Sequence, residues 1–162
     1  MLSVRKATID DLDRIDEIFV IAKKYMKEYG NTKQWSGDYP NSLDAKKDIK
    51  NDCSYVVVDD GKVVGTFAFI IGEEKNYLYI ENGKWLNDEP YGTIHRIASD
   101  GKGVFKCALD FCKSFNVDIR IDTHKDNKPM IHVINKYGFK YCGIIYVADK
   151  TERLAFQLCK KS

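Results

Sequence analysis

The sequence predicts an α/β (α+β) domain in which a mixed sheet is flanked by helices, and three features carry that prediction. Runs of β-branched and aromatic residues at 55–58 and 63–71 read as strands. Apolar residues recur at helical spacing over 12–26, 104–112 and 130–137. Between them, residues 93–112 read as strand, glycine turn and helix. With 162 residues, 44% of them hydrophobic, the chain has the length and core material of one domain spanning 1–162.

Val4 to Ala7 starts as a strand. Asp10 or Asp11 then caps a helix whose apolar face is Leu12, Ile15, Ile18, Phe19, Ala22 and Met26, ended by Gly30 and Asn31. A polar loop carrying Trp35, Tyr39 and Pro40 leads to a second helix from Ser42 to about Ile49. Tyr55 to Val58 and Val63 to Ile71 form a hairpin around Asp60-Gly61. Residues 73–92 carry turn signals at Asn82-Gly83, Asn87-Asp88 and Pro90, with Tyr77 to Ile80 as a further strand.

Thr93 to Ala98 is the next strand. The break Ser99-Asp100-Gly101-Lys102-Gly103 opens a helix with Val104, Phe105, Ala108, Leu109 and Cys112 on one face. Val117, Ile119 and Ile121 alternate with Asp118, Arg120 and Asp122, the pattern of a half-buried strand. Asn127 or Asp126 caps a helix with Pro129 in its first turn and Gly138 at its end, and Tyr141 to Val147 and Arg153 to Leu158 close the sheet.

Lys plus Arg total 26 and Asp plus Glu 24, a net +2, so no strong field gathers nucleic acid or anionic membrane, although Lys23, Lys24 and Lys27 make one basic helix face. Charges interrupt every apolar run near the N-terminus, and a cytoplasmic location is expected. Five scattered cysteines without a CxxC pair predict neither a disulfide framework nor a metal site.

Gly101 and Gly103 stand between a strand and a helix N-terminus, where unpaired N–H groups and the helix dipole favour a pyrophosphate, and Lys102 adds charge; the alternative is a plain chain turn. A P-loop is absent, and Lys106 stands where a dinucleotide fingerprint needs its third glycine. His95, on the strand entering the turn, is the candidate general base, because imidazole titrates near neutrality. Its alternative role is a core histidine bonded to a neighbour. Asp122 reads as capping chemistry, Arg96 as an ion-pair partner on the opposite face, and Tyr137 as core.

The segments HRIASDGKGVFKCALDF and DIRIDTHKDNKPMIHVINKYGFKYCGIIY resemble the two acetyl-CoA-binding segments of the Gcn5-related N-acetyltransferase (GNAT) family. Gly103 matches the first motif, with Asp100 in the usual Gln/Arg place and Phe105 in the last Gly/Ala place. Asn127, Gly138 and Phe139 match the second, with Met130 replacing its alanine and Ile134 the tyrosine that protonates the departing thiolate.

The resemblance implies a mixed, mostly antiparallel sheet of six to seven strands flanked by about four helices. It implies acetyl transfer from acetyl-CoA to a primary amine of a small molecule, amino acid or peptide in a ternary complex. The CoA would lie on Ile97, Ser99, Gly101, Lys102, Gly103, Val104 and Asn127, and the acceptor near Trp35, Tyr39 and His124. A homodimer is compatible with it. The competing reading, motivated by Ile134, is a non-catalytic acyl-CoA sensor.

Overall fold

The computed structural model describes residues 1–35 and 37–161. Seven strands form one sheet in the order β1-β2-β3-β4-β5-β7-β6. They are β1 (Leu2–Lys6), β2 (Ser54–Asp59), β3 (Lys62–Ile71), β4 (Tyr91–Ser99), β5 (Asp118–Thr123), β6 (Lys140–Tyr146) and β7 (Glu152–Leu158). Four helices flank it: α1 (Leu12–Glu28), α2 (Ser42–Lys50), α3 (Val104–Lys113) and α4 (Lys128–Lys136). Among the described residues only β4 and β5 pair in parallel, an arrangement that needs a crossover, which α3 supplies.

The alternating strand residues divide the core between the two faces. Tyr55 and Val57 of β2 join Phe67, Ile119, Ile121 and Phe156 under Val104, Ala108, Leu109 and Cys112 of α3 and Ile134 of α4. Val56 points the other way and packs with Ile15, Ile18 and Phe19 of α1 and Ala45 of α2. A third, smaller cluster joins Tyr77, Ile145 and Ala155.

The hairpin between β2 and β3 turns with Asp60 at φ 49° and Gly61 at φ 83°, the primed geometry that a right-handed strand pair prefers. Helix α4 begins where Asn127 Oδ1 accepts the N–H of Met130, so Asn127 and not Asp126 is its cap. Gly65 is fixed by packing: a Cβ there would stand 2.5 Å from Val104 Cγ1, where the first turn of α3 lies on β3.

Two expectations fail. Tyr77 to Ile80 is not a strand: Lys75–Tyr77 is a short 3-10 turn, and only Glu81 bridges to Ile144. The β5 pattern does not mark an exposed face either, since Asp118 and Arg120 are buried. Arg120 lies between the rings of Trp85 (4.1 Å) and Tyr91 (3.9 Å), with Nη2 donating to Asn87 O, so residues of the 73–92 loop cover a face that alternation alone reads as solvated.

Candidate active site

Strands β4 and β5 pair only from Tyr91/Asp118 to Thr93/Arg120, and beyond that point they part. On its other side β4 stays bonded to β3 as far as Gly65/Ser99, with an irregularity between the Ala68/His95 and Thr66/Ala98 pairs. Arg96 sits in this bulge at φ 51°. Its guanidinium is held by Asp48 of α2, Nε at 2.8 Å and Nη2 at 2.7 Å, and Nη1 reaches the Tyr39 hydroxyl at 3.3 Å. Arg96 is therefore an ion-pair residue, and it anchors the bulge to α2.

A cavity of about 500 Å³ occupies the opening, lined by Ile94 to Ile97 of β4 and Ile121 to Thr123 of β5. Trp35 and Tyr39 of the α1–α2 loop also line it, and Trp35 is fixed edge-on against Phe19. Within it, His95 Nε2 lies 3.4 Å from Glu74 Oε1. His95 holds the Glu74 carboxyl below its usual range, against the opposing effect of burial. Glu74 arrives because Gly72 donates its N–H to Tyr91 O and turns the chain back after β3.

Asp122, read from sequence as capping chemistry, instead accepts the Tyr77 hydroxyl at 2.6 Å beside the cavity. Burial pushes its carboxyl up, while the Tyr77 hydrogen bond and the charges of His95 and Arg153 oppose the shift. Burial, followed by the Asp122 charge, pushes the Tyr77 phenol well up.

No local pattern in the sequence singles out Gln34. Its Oε1 accepts from Asn31 Nδ2, Thr123 Oγ1, the His124 N–H and Asn127 Nδ2 at 3.0–3.2 Å, tying the α1–α2 loop to the β5–α4 junction. Asn127 lines the cavity, yet Oδ1 caps α4 and Nδ2 serves Gln34. His124, which the family resemblance puts near the acceptor, does not line the cavity. Its ring is buried outside the lining, where Nδ1 accepts the Asp126 N–H, and burial followed by Arg153 lowers its pKa.

At the far end of β4, Ser99 is exposed and Gly103 caps α3 at φ 80°; a Cβ on Gly103 would meet Leu2 Cδ1 at 3.1 Å. The first backbone bond at the start of α3 runs from the Cys107 N–H to Gly103 O. Among the described residues, the N–H groups of 101–106 donate no hydrogen bond to the protein. Gly101 and Lys102 are exposed beside them, and Val104 is buried with its N–H at the helix start. This array of donors fits a pyrophosphate. Asp100 stands next to it, but Oδ2 accepts from Arg14 Nη2 at 2.7 Å, so its charge is countered.

Ile134 is fully buried, and Tyr137 stacks on Phe105 with centroids 6.0 Å apart, so it belongs to the core. Among the described residues no group of three His, Cys, Asp or Glu side chains could hold a metal ion, and no helix is long and apolar enough to cross a membrane.

No protein-family model and no curated protein matches the chain. Solved structures do. A GNAT-family acetyltransferase from Streptococcus agalactiae 2603 is 34% identical, with a TM-score of 0.91 over 99% of this chain and 96% of that one. A GNAT-family acetyltransferase from Listeria monocytogenes 4b F2365 shares the fold at 19% identity and a TM-score of 0.68, covering 97% and 95%. One from Bacillus cereus ATCC 10987 does so at 20% and 0.61, covering 100% and 99%. The parted β4 and β5 strands, the seven-stranded sheet with four helices and the full-length match at 34% identity agree: the chain belongs to the GNAT family of acetyltransferases.

Proposed function

We propose that residues 1–162 form one catalytic domain that moves an acetyl group from acetyl-CoA to a primary amine by direct attack in a ternary complex. The observation that carries the reading is the opening between β4 and β5, with His95 and Glu74 on one side of it and the free N–H groups of 101–106 beyond the end of β4. The backbone N–H groups from Gly101 to Lys106 hold the pyrophosphate, with Lys102 supplying positive charge beside them. Ile97 and Ser99 offer main-chain groups along the unpaired edge of β4. When bound, acetyl-CoA supplies an activated thioester acyl group.

His95, oriented by Glu74, takes the proton from the acceptor ammonium so that the amine can attack. Trp35 and Tyr39 form the apolar wall against which the acceptor lies. Direct transfer is favoured because no cysteine is among the residues lining the cavity, and burial raises the pKa of Cys53, Cys107, Cys112, Cys142 and Cys159. With Ile134 in place of a tyrosine, α4 offers no hydroxyl at that position to protonate the leaving thiolate.

The test is calorimetric titration with acetyl-CoA, with NADH and ATP as controls, followed by thiol release against a panel of amines. Selective acetyl-CoA binding with amine-dependent thiol release supports the reading. Binding without release from any amine returns it to a sensor, and no binding removes both.

A further inference from the structure

The cavity lining has two signs. Glu74 and Asp122 stand with His95, and Arg153, at the start of β7, supplies positive charge to the same lining. Arg153 is 6% exposed, yet among the described residues no carboxylate oxygen lies within 4.0 Å of its guanidinium. Nη1 is occupied by Glu152 O at 2.8 Å and Thr151 Oγ1 at 3.0 Å. Among the described residues Nη2 makes one 3.4 Å contact to Gln34 O, and Nε makes no hydrogen bond. The Nε–Nη2 edge, a fork that matches a carboxylate, is thus nearly vacant on a buried cation.

The neighbouring charges are accounted for differently. Arg96 is matched by Asp48, and Arg120 is stacked between Trp85 and Tyr91 outside the cavity lining. Asp149 lines the cavity, but its Oδ1 accepts from the N–H and hydroxyl of Thr151. Asp122 and Asp149 act on Arg153 at a distance without pairing with it, and a buried guanidinium with no directly bonded carboxylate is costly unless a ligand completes it. On the opposite sign, Glu74 and Asp122 suit an arriving ammonium.

Resting on the acetyltransferase reading above, we propose that the acceptor is a small amino carboxylate of the amino-acid type, its carboxylate held by Arg153 and its amine presented to His95 and Glu74. The cavity then binds a zwitterion by both ends, and an acceptor lacking the carboxylate loses one of them. A peptide N-terminus, whose nearest carbonyl is an uncharged amide, loses the same contact.

The experiment measures kcat/KM for the twenty common amino acids, for their decarboxylated amines and for their carboxamides, alongside calorimetric affinity for acetyl-CoA. The expected result is at least one amino acid favoured over both derivatives by on the order of 100-fold. That ratio should fall to within about 10-fold in Arg153→Gln and to an intermediate value in Arg153→Lys, which keeps the charge without the fork. The wild-type comparison stands even if a variant fails to fold. Equal use of the derivatives, or binding of acetyl-CoA with no amino acid acetylated, overturns the proposal and leaves the cofactor reading intact. Failure to bind acetyl-CoA overturns the reading beneath it.

Discussion

His95 Nε2 and Glu74 Oε1 lie 3.4 Å apart beside the opening between β4 and β5, a separation that a small movement on substrate binding would close to a hydrogen bond. His95→Ala should lower kcat by about 100-fold or more while acetyl-CoA affinity stays within about twofold. Glu74→Gln keeps the shape but not the charge, and should lower kcat by about 10-fold. Stopped-flow thiol release read beside calorimetry checks both, and wild-type turnover in His95→Ala would return that residue to a structural role.

Gly103→Asp separates helix stability from cofactor binding. At φ 80° an aspartate is strained, though less than most residues, and its Cβ approaches Leu2, so melting should fall by a measurable amount while the fold is kept. A carboxylate beside the free N–H groups repels an anion, so acetyl-CoA affinity should fall by about 30-fold or more. Unchanged affinity would move the pyrophosphate elsewhere.

These two sites differ in how legible they were. Gly101, Gly103 and the capping Asn127 announce themselves because their roles are local: a turn, a helix start, a cap. The hairpin at Asp60-Gly61 is readable for the same reason. Glu74 and Gln34 carry no local signal, because each acts on residues far along the chain, Glu74 on His95 and Gln34 on Thr123, His124 and Asn127. Asp122 reads as a cap because Asp-Thr-His suits one, and only the path of the 73–92 loop shows that Tyr77 reaches it.

Gln34→Leu leaves the buried Thr123 hydroxyl, His124 N–H and Asn127 amide without their shared acceptor. Losing them should cost about 2–4 kcal/mol, given about 1–3 kcal/mol for each unsatisfied group and some rescue by water. Chemical denaturation measures the loss. Hydrogen exchange at the His124 amide should speed up by at least 10-fold, whereas an unaltered rate would show that Gln34 is not what holds the junction.

The part-buried pair of Arg96 and Asp48 should be strongly coupled. Asp48→Ala takes two hydrogen bonds from a guanidinium in the bulge and should cost up to about 3–5 kcal/mol, and Arg96→Ala a comparable amount. The double variant should cost much less than the sum, because it strands no charge. Additive losses in the cycle would mean that the bulge is set by backbone pairing alone.

Asp11 gives the clearest pH dependence. Its carboxylate accepts from Arg5 Nη1 and Nη2 at 2.8 and 2.9 Å and from the Thr8 N–H at 2.8 Å. The Arg5 hydrogen bonds, then the Thr8 N–H, hold its pKa below the ordinary value against burial. A carboxyl depressed on folding stabilises the fold above its unfolded pKa, about 3.9, and that contribution vanishes as pH falls through the lower folded value. Because Arg5 is half exposed, the effect is modest: Asp11→Asn should cost about 1 kcal/mol at pH 7. The gap between the two melting curves should narrow below about pH 4, where the wild-type carboxyl also takes up a proton. A gap that is constant from pH 7 to pH 3 would assign the stabilisation to shape and hydrogen bonding at the start of α1, with no share from charge.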